Sequence, residues 1–128
     1  MNYYISRYVE GGFDATIARV TEALKLEGFG VLTQIDVTQT LKTKIDKNFR
    51  PYRILGACNP NLAFQALSSE DKIGVMLPCN VIVQQHADGR VEVATIDPAA
   101  AMQSVGNPAL TGIAATVREK LERVVASM

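Results

Sequence analysis

The sequence predicts an α+β fold: a two-layer sandwich with helices packed on a mainly antiparallel or mixed sheet. Three observations carry that prediction. The chain has 128 residues, 48% hydrophobic and 20% charged, enough for one ordinary hydrophobic core, so residues 1–128 read as a single domain. Segments with a period of two alternate with segments whose apolar residues recur every three or four positions. Finally, Asp88-Gly89 stands between two β-rich runs and marks an antiparallel hairpin, which a purely parallel sheet does not contain.

Taken in order, Tyr3 to Val9 alternates as a strand. Phe13, Ile17, Val20 and Leu24 then repeat on one helical face, with Asp14 placed to cap the helix and Gly28 to end it. Phe29 to Val37 reads as the second strand, followed by a short helix with Val37, Leu41 and Ile45 on one side and Lys42 and Lys44 on the other. Tyr52 to Ala57 is the third strand. Asn59-Pro60 supplies a cap and a proline at the first helical position, and Leu62, Ala63, Ala66 and Leu67 form the buried side of the helix that follows.

The run from Ile73 to His86 is too long for one regular strand and contains Pro78, so it predicts a bulge or an edge crossing. Val81–His86 and Val91–Ile96 flank the Asp88-Gly89 turn. Asp97-Pro98 and Asn107-Pro108 repeat the cap-plus-proline arrangement, predicting helices over Ala99 to Val105 and about Ala109 to Ala126. Leu110, Ile113, Ala114, Val117, Leu121 and Val124 should be buried on the last helix, with Arg118, Glu119, Glu122 and Arg123 toward water. A sheet face left without helices would be available to a second subunit.

Charge and segment content narrow the function. Thirteen basic side chains balance thirteen acidic ones, so the broad positive footprint of nucleic-acid and anionic-membrane binders is missing. The longest apolar run, Ile73 to Val83, is broken by Pro78 and Asn80, which argues against a membrane span. The N-terminus alternates like a strand and lacks the pattern of a signal peptide, giving a cytoplasmic expectation. Two cysteines 21 residues apart make neither a disulfide framework nor a short-spaced zinc knuckle.

The residues that can carry chemistry sit in two short motifs. Cys58 stands where a strand runs into a helix start, and free amides there favour a thiolate; a free cysteine also packs well as a small hydrophobe. Cys79-Asn80 repeats the dipeptide Cys58-Asn59 where Pro78 disturbs regular backbone. Brought onto neighbouring strands, the four residues Cys58, Asn59, Cys79 and Asn80 would form a ligand pocket; alternatively, Asn59 is a cap and Asn80 satisfies backbone beside Pro78. His86, the only histidine, falls by strand alternation on the side of Asn80, Ile82 and Gln84 and has no evident partner. Gly28-Phe29-Gly30 lacks the context of a dinucleotide fingerprint. Asp88 and Asp97 read as turn and cap residues, Tyr3, Tyr4 and Tyr8 lack a basic stripe for base stacking, and Arg50 and Arg53 are either surface residues or anion contacts.

The segments Ile54-Leu55-Gly56-Ala57-Cys58-Asn59-Pro60 and Pro78-Cys79-Asn80-Val81, followed by Asp97-Pro98, resemble the bacterial and archaeal domain-of-unknown-function 302 family over nearly the whole chain. That resemblance implies a small α+β domain assembled as a homodimer and brings no reaction, substrate or cofactor. Cys58, Asn59, Pro60, Pro78, Cys79 and Asn80 match as signature positions, and His86 matches none. The functional expectation is a cytoplasmic homodimer that binds a small polar or anionic ligand beside the two Cys-Asn motifs. The alternatives are a thiol-dependent redox enzyme or metal-handling protein using Cys58 and Cys79, and a structural or protein-association domain.

Overall fold

In the computed structural model, which describes residues 2–128, five strands form an antiparallel sheet in the order β1-β5-β4-β3-β2. They are β1 (Tyr4–Val9), β2 (Gly30–Asp36), β3 (Tyr52–Cys58), β4 (Cys79–Gln85) and β5 (Val91–Ile96). The helices are α1 (Phe13–Leu26), α2 (Val37–Ile45), α3 (Pro60–Ser69), α4 (Pro98–Met102) and α5 (Thr111–Ala126). This is the predicted α+β sandwich. The pleat sends Leu55, Ala57, Val81, Val83, Val91 and Val93 to one face, where they meet Val20 and Leu24 of α1 and Leu121 and Val124 of α5 in one buried cluster. Desolvating those branched aliphatic side chains is the main favourable term holding the two layers together.

The punctuation of the sequence works largely as its chemistry dictates. Asp97 accepts from the Ala99 and Ala100 amides at α4, and Asn59 accepts from the Leu62 amide at α3, each just ahead of a proline. Gly28 and Gly89 take positive φ of 85° and 89°, at the end of α1 and in the β4–β5 hairpin. Gly56 is required for space: a Cβ there would meet the Thr33 side chain and lie 2.8 Å from Pro78 Cγ. Thr33 of β2 and Pro78, just ahead of β4, thus close over β3 at this glycine.

Several expectations need correction. The N-cap of α1 is Gly12, without a side-chain bond, and Asp14 lies in the first turn. Residues 73–76 form a 3₁₀ turn, and β4 begins at Cys79 directly after Pro78, so that proline precedes the ladder and needs no bulge within it. The irregularity falls in β2, between Val31 and Thr33. In α2 no residue is buried and Ile45 is 59% exposed, the helix packing mainly against β2 and β3. Leu67 is also exposed. On α5, Arg118 is only part-exposed: its Nε donates to Asp97 Oδ2 at 3.1 Å and its Nη1 to Glu122. That ion pair ties the start of α4 to the α5 face expected to meet only water.

Candidate functional site

Two hollows lie on opposite sides of the sheet, and the motif residues divide between them. The first is a cavity of about 360 Å³ at the end of the sheet where β3 finishes and β4 starts. Its floor is Ala57, Cys58 and Cys79; α3 covers it with Leu62 and Ala66; Ile73 of the 3₁₀ turn and Ile113 and Val117 of α5 close the back. Pro60 starts α3 immediately after β3, which is why the helix lies over the strand ends. Leu32 and Leu67 belong to the lining yet are 69% and 45% exposed, so they stand at the mouth.

The strand register brings two cysteines 21 residues apart to the same end of the sheet: Ala57 pairs with Cys79 across the β3–β4 ladder, and Cys58 is the last residue of β3, beyond the final β3–β4 pair, where it reaches the cavity from the strand end. Both thiols are free and half-buried. Burial, with a smaller contribution from nearby Cys58, pushes the Cys79 thiol up to about 11. Cys79 therefore keeps its proton at neutral pH, and a thiolate nucleophile in this cavity would have to be Cys58.

Asn59 also lines the cavity, but both ends of its carboxamide are engaged. Oδ1 accepts from the Leu62 amide at 3.3 Å, and Nδ2 donates to the Glu27 carbonyl at 3.4 Å. Asn59 thus caps α3 and ties it to the turn after α1. Asn80 is not part of this site. It pairs with Gly56 and points, with Ile82 and Gln84, to the other face of the sheet. The expected convergence of two thiols and two carboxamides fails at Asn80, because successive residues on a strand face opposite ways.

That other face is open. Its central row reads Ser6, Ala94, Ile82, Ile54 and Ile35 across all five strands. Beside it run Tyr8, Glu92, Gln84 and Tyr52. A hollow of about 470 Å³ on this face is lined by strand residues and Tyr3. His86 does have a partner here: its Nε2 lies 2.9 Å from Glu92 Oε1. Gln84 Nε2 donates to the same oxygen at 3.0 Å, and Arg50 Nε donates to Gln84 Oε1 at 2.8 Å. Sequence reading missed this line because its members lie on different strands. The Asp88-Gly89 hairpin contained the signal, since its register sets Gln84 opposite Glu92.

Among the described residues, no group of three or more His, Cys, Asp or Glu is placed to hold a metal ion. No helix of the described residues is long and apolar enough to cross a membrane.

The fold and site define a small α+β sandwich with an apolar cavity at one end of an antiparallel sheet. Residues 5–128 match the family model described as Domain of unknown function DUF302, and the chain belongs to that family. It is similar to a solved structure, the crystal structure of an uncharacterized conserved DUF302 protein from Bacillus stearothermophilus. The two are 34% identical over 97% of this chain and 96% of that one, with a TM-score of 0.91. A comparison with curated proteins gives no match.

Proposed function

We propose that this chain binds a small apolar molecule, or the apolar part of one, in the cavity beneath α3, and does so as a cytoplasmic homodimer whose second copy covers the open sheet face. The observation that carries the reading is the cavity lining. It is built from aliphatic side chains, with Thr33, Cys58, Asn59 and Cys79 as its polar side chains and no Lys, Arg or His among them. A polar or anionic ligand would lose its hydration there without a cation to replace it, so the motif-based expectation gives way to an apolar one. A volume of about 360 Å³ falls in the range of small-molecule sites, roughly 300–1,000 Å³.

A neutral apolar fluorophore, N-phenyl-1-naphthylamine, tests the reading. Saturable fluorescence enhancement at micromolar probe is expected, lost in Ala66→Phe, which fills the cavity, and retained in Asn80→Ala, which changes the opposite face. Circular dichroism checks that both variants fold. Absence of saturation in the unmodified protein, or equal binding by Ala66→Phe, removes the site.

A thiol-dependent reading has one observation in its favour: Cys58 and Cys79 line the same cavity. The raised Cys79 thiol makes Cys58 the reactive partner in that scheme.

A further inference from the structure

We propose that the cavity beneath α3 takes an alkyl or aryl hydroperoxide as its apolar ligand and reduces it to the alcohol, Cys58 attacking the peroxide and Cys79 completing a disulfide. This rests on the cavity reading above and gives its thiol-dependent form a substrate class.

The lining selects the substrate. No Lys, Arg or His meets the space, and the Asn59 carboxamide is held by the Leu62 amide and the Glu27 carbonyl. The groups left to act on a ligand are the free Cys58 and Cys79 thiols, beside the Thr33 hydroxyl. A hydroperoxide is uncharged, so it enters without a counter-ion, and its hydrocarbon body gains by leaving water for Leu62, Ala66, Ile73 and Val117. Exposed Leu32 and Leu67 carry that apolar surface out to the mouth.

The two thiols are placed to act in succession. Ala57 faces Cys79 in the register, so the Cα of Cys58, one residue on, lies roughly 6 Å from that of Cys79 by ordinary strand geometry. That separation is within the ~4.4–6.8 Å span of a disulfide. Cys58 lies past the last β3–β4 pair, where the chain turns into α3, and it lines the cavity together with Cys79. Burial keeps the Cys79 proton in place at neutral pH, which leaves Cys58 to supply the thiolate.

The Cys58 thiolate attacks the terminal peroxide oxygen: an S–O bond forms, the O–O bond breaks, and the alkoxide leaves with the electron pair. The alkoxide takes the Cys79 proton and departs as the alcohol. The Cys79 thiolate so formed attacks the Cys58 sulfur, the S–S bond forms, and hydroxide leaves. Each sulfur gives up one electron and the peroxide accepts both. A small dithiol entering at the mouth restores the two thiols by exchange and itself becomes a disulfide. A carbon electrophile would use Cys58 alone, whereas a hydroperoxide uses the second thiol and its proton as well.

Fully reduced protein mixed at pH 7 with cumene hydroperoxide, and separately with hydrogen peroxide, tests the proposal. Each hydroperoxide consumed should remove both thiols and lower the mass of the chain by two hydrogens, and dithiothreitol should sustain turnover. Cumene hydroperoxide should react at least about tenfold faster than hydrogen peroxide. Cys58→Ser should be inert, and Cys79→Ser should stop at a Cys58 sulfenic acid that dimedone captures. Ala66→Phe should abolish the preference for the bulky peroxide while still reacting with hydrogen peroxide. Circular dichroism confirms that the variants fold. No preference for cumene hydroperoxide in the unmodified protein, or undiminished reaction in Cys58→Ser, overturns the proposal; saturable naphthylamine binding would then still uphold the apolar site. Naphthylamine binding that fails to saturate removes the cavity reading and the proposal with it.

Discussion

Strand β4 presents two different surfaces from neighbouring residues. Cys79, Val81 and Val83 face α1 and α5, and the two valines are fully buried. Asn80, Ile82 and Gln84 face the opposite way, over which no helix packs on β4. The same short sequence builds a buried core on one side and an open surface on the other. An apolar residue on this strand therefore contributes in different ways according to the parity of its position: inside, by what it excludes from water in the isolated chain, and outside, by what it offers to a partner.

The sharpest way to break that comparison is to shorten one aliphatic side chain on each side. Leu121 is fully buried in the main cluster, so Leu121→Ala should cost about 2–5 kcal/mol in urea unfolding, the usual range for a leucine cavity. Ile82→Ala removes a side chain already in partial contact with water and should cost under ~1.5 kcal/mol in dilute protein. A larger loss at high protein concentration would show the outer surface in use by a second copy. Equal losses at low concentration would mean that the outer face is packed within one chain.

Next in size is the pH response of the inner face. The Cys79 thiol is raised from 9.0 to about 11, so between those values the folded chain retains a proton that the unfolded chain releases. Stability from this group is fully present below pH 9 and is lost as pH rises toward 11, amounting to about 3 kcal/mol at most. Unfolding midpoints of the unmodified protein and Cys79→Ala should therefore converge with rising pH over that window. Iodoacetamide labelling of Cys79 in folded protein should rise over the same interval. Fast labelling at pH 8 would place the thiol in water and remove the apolar floor from the cavity.

Much of the fold follows from residues that act locally. Asn59-Pro60, Asp97-Pro98 and Asn107-Pro108 each start a helical turn with the asparagine or aspartate accepting backbone amides, and Asp88-Gly89 sets its hairpin as the turn chemistry requires. The site was less legible because it depends on lateral register. Reading Cys-Asn as a unit put both residues in one pocket, whereas the pleat separates Cys79 from Asn80. The cavity lining comes from α3, the 3₁₀ turn and α5, whose apolar residues look like ordinary core residues until the helices are placed. His86 and Glu92 are six positions apart, and only the hairpin brings them together. The helical wheel of α5 alone directs Arg118 toward water, but Asp97 at the start of α4 reaches it.

The two asparagines of the signature give the finest test, since they share a residue type and a preceding cysteine but not a face. Asn59 caps α3 and anchors it to the Glu27 carbonyl; Asn59→Ala should cost about 1 kcal/mol and weaken probe binding by loosening the helix that roofs the cavity. Asn80 makes no side-chain bond within the described residues, and its neighbours on the open face are strand residues. Asn80→Ala should change dilute-protein stability by less than about 0.5 kcal/mol and leave probe binding intact. Equal stability losses from the two substitutions would mean that the carboxamides do the same structural work and that the sheet does not divide them.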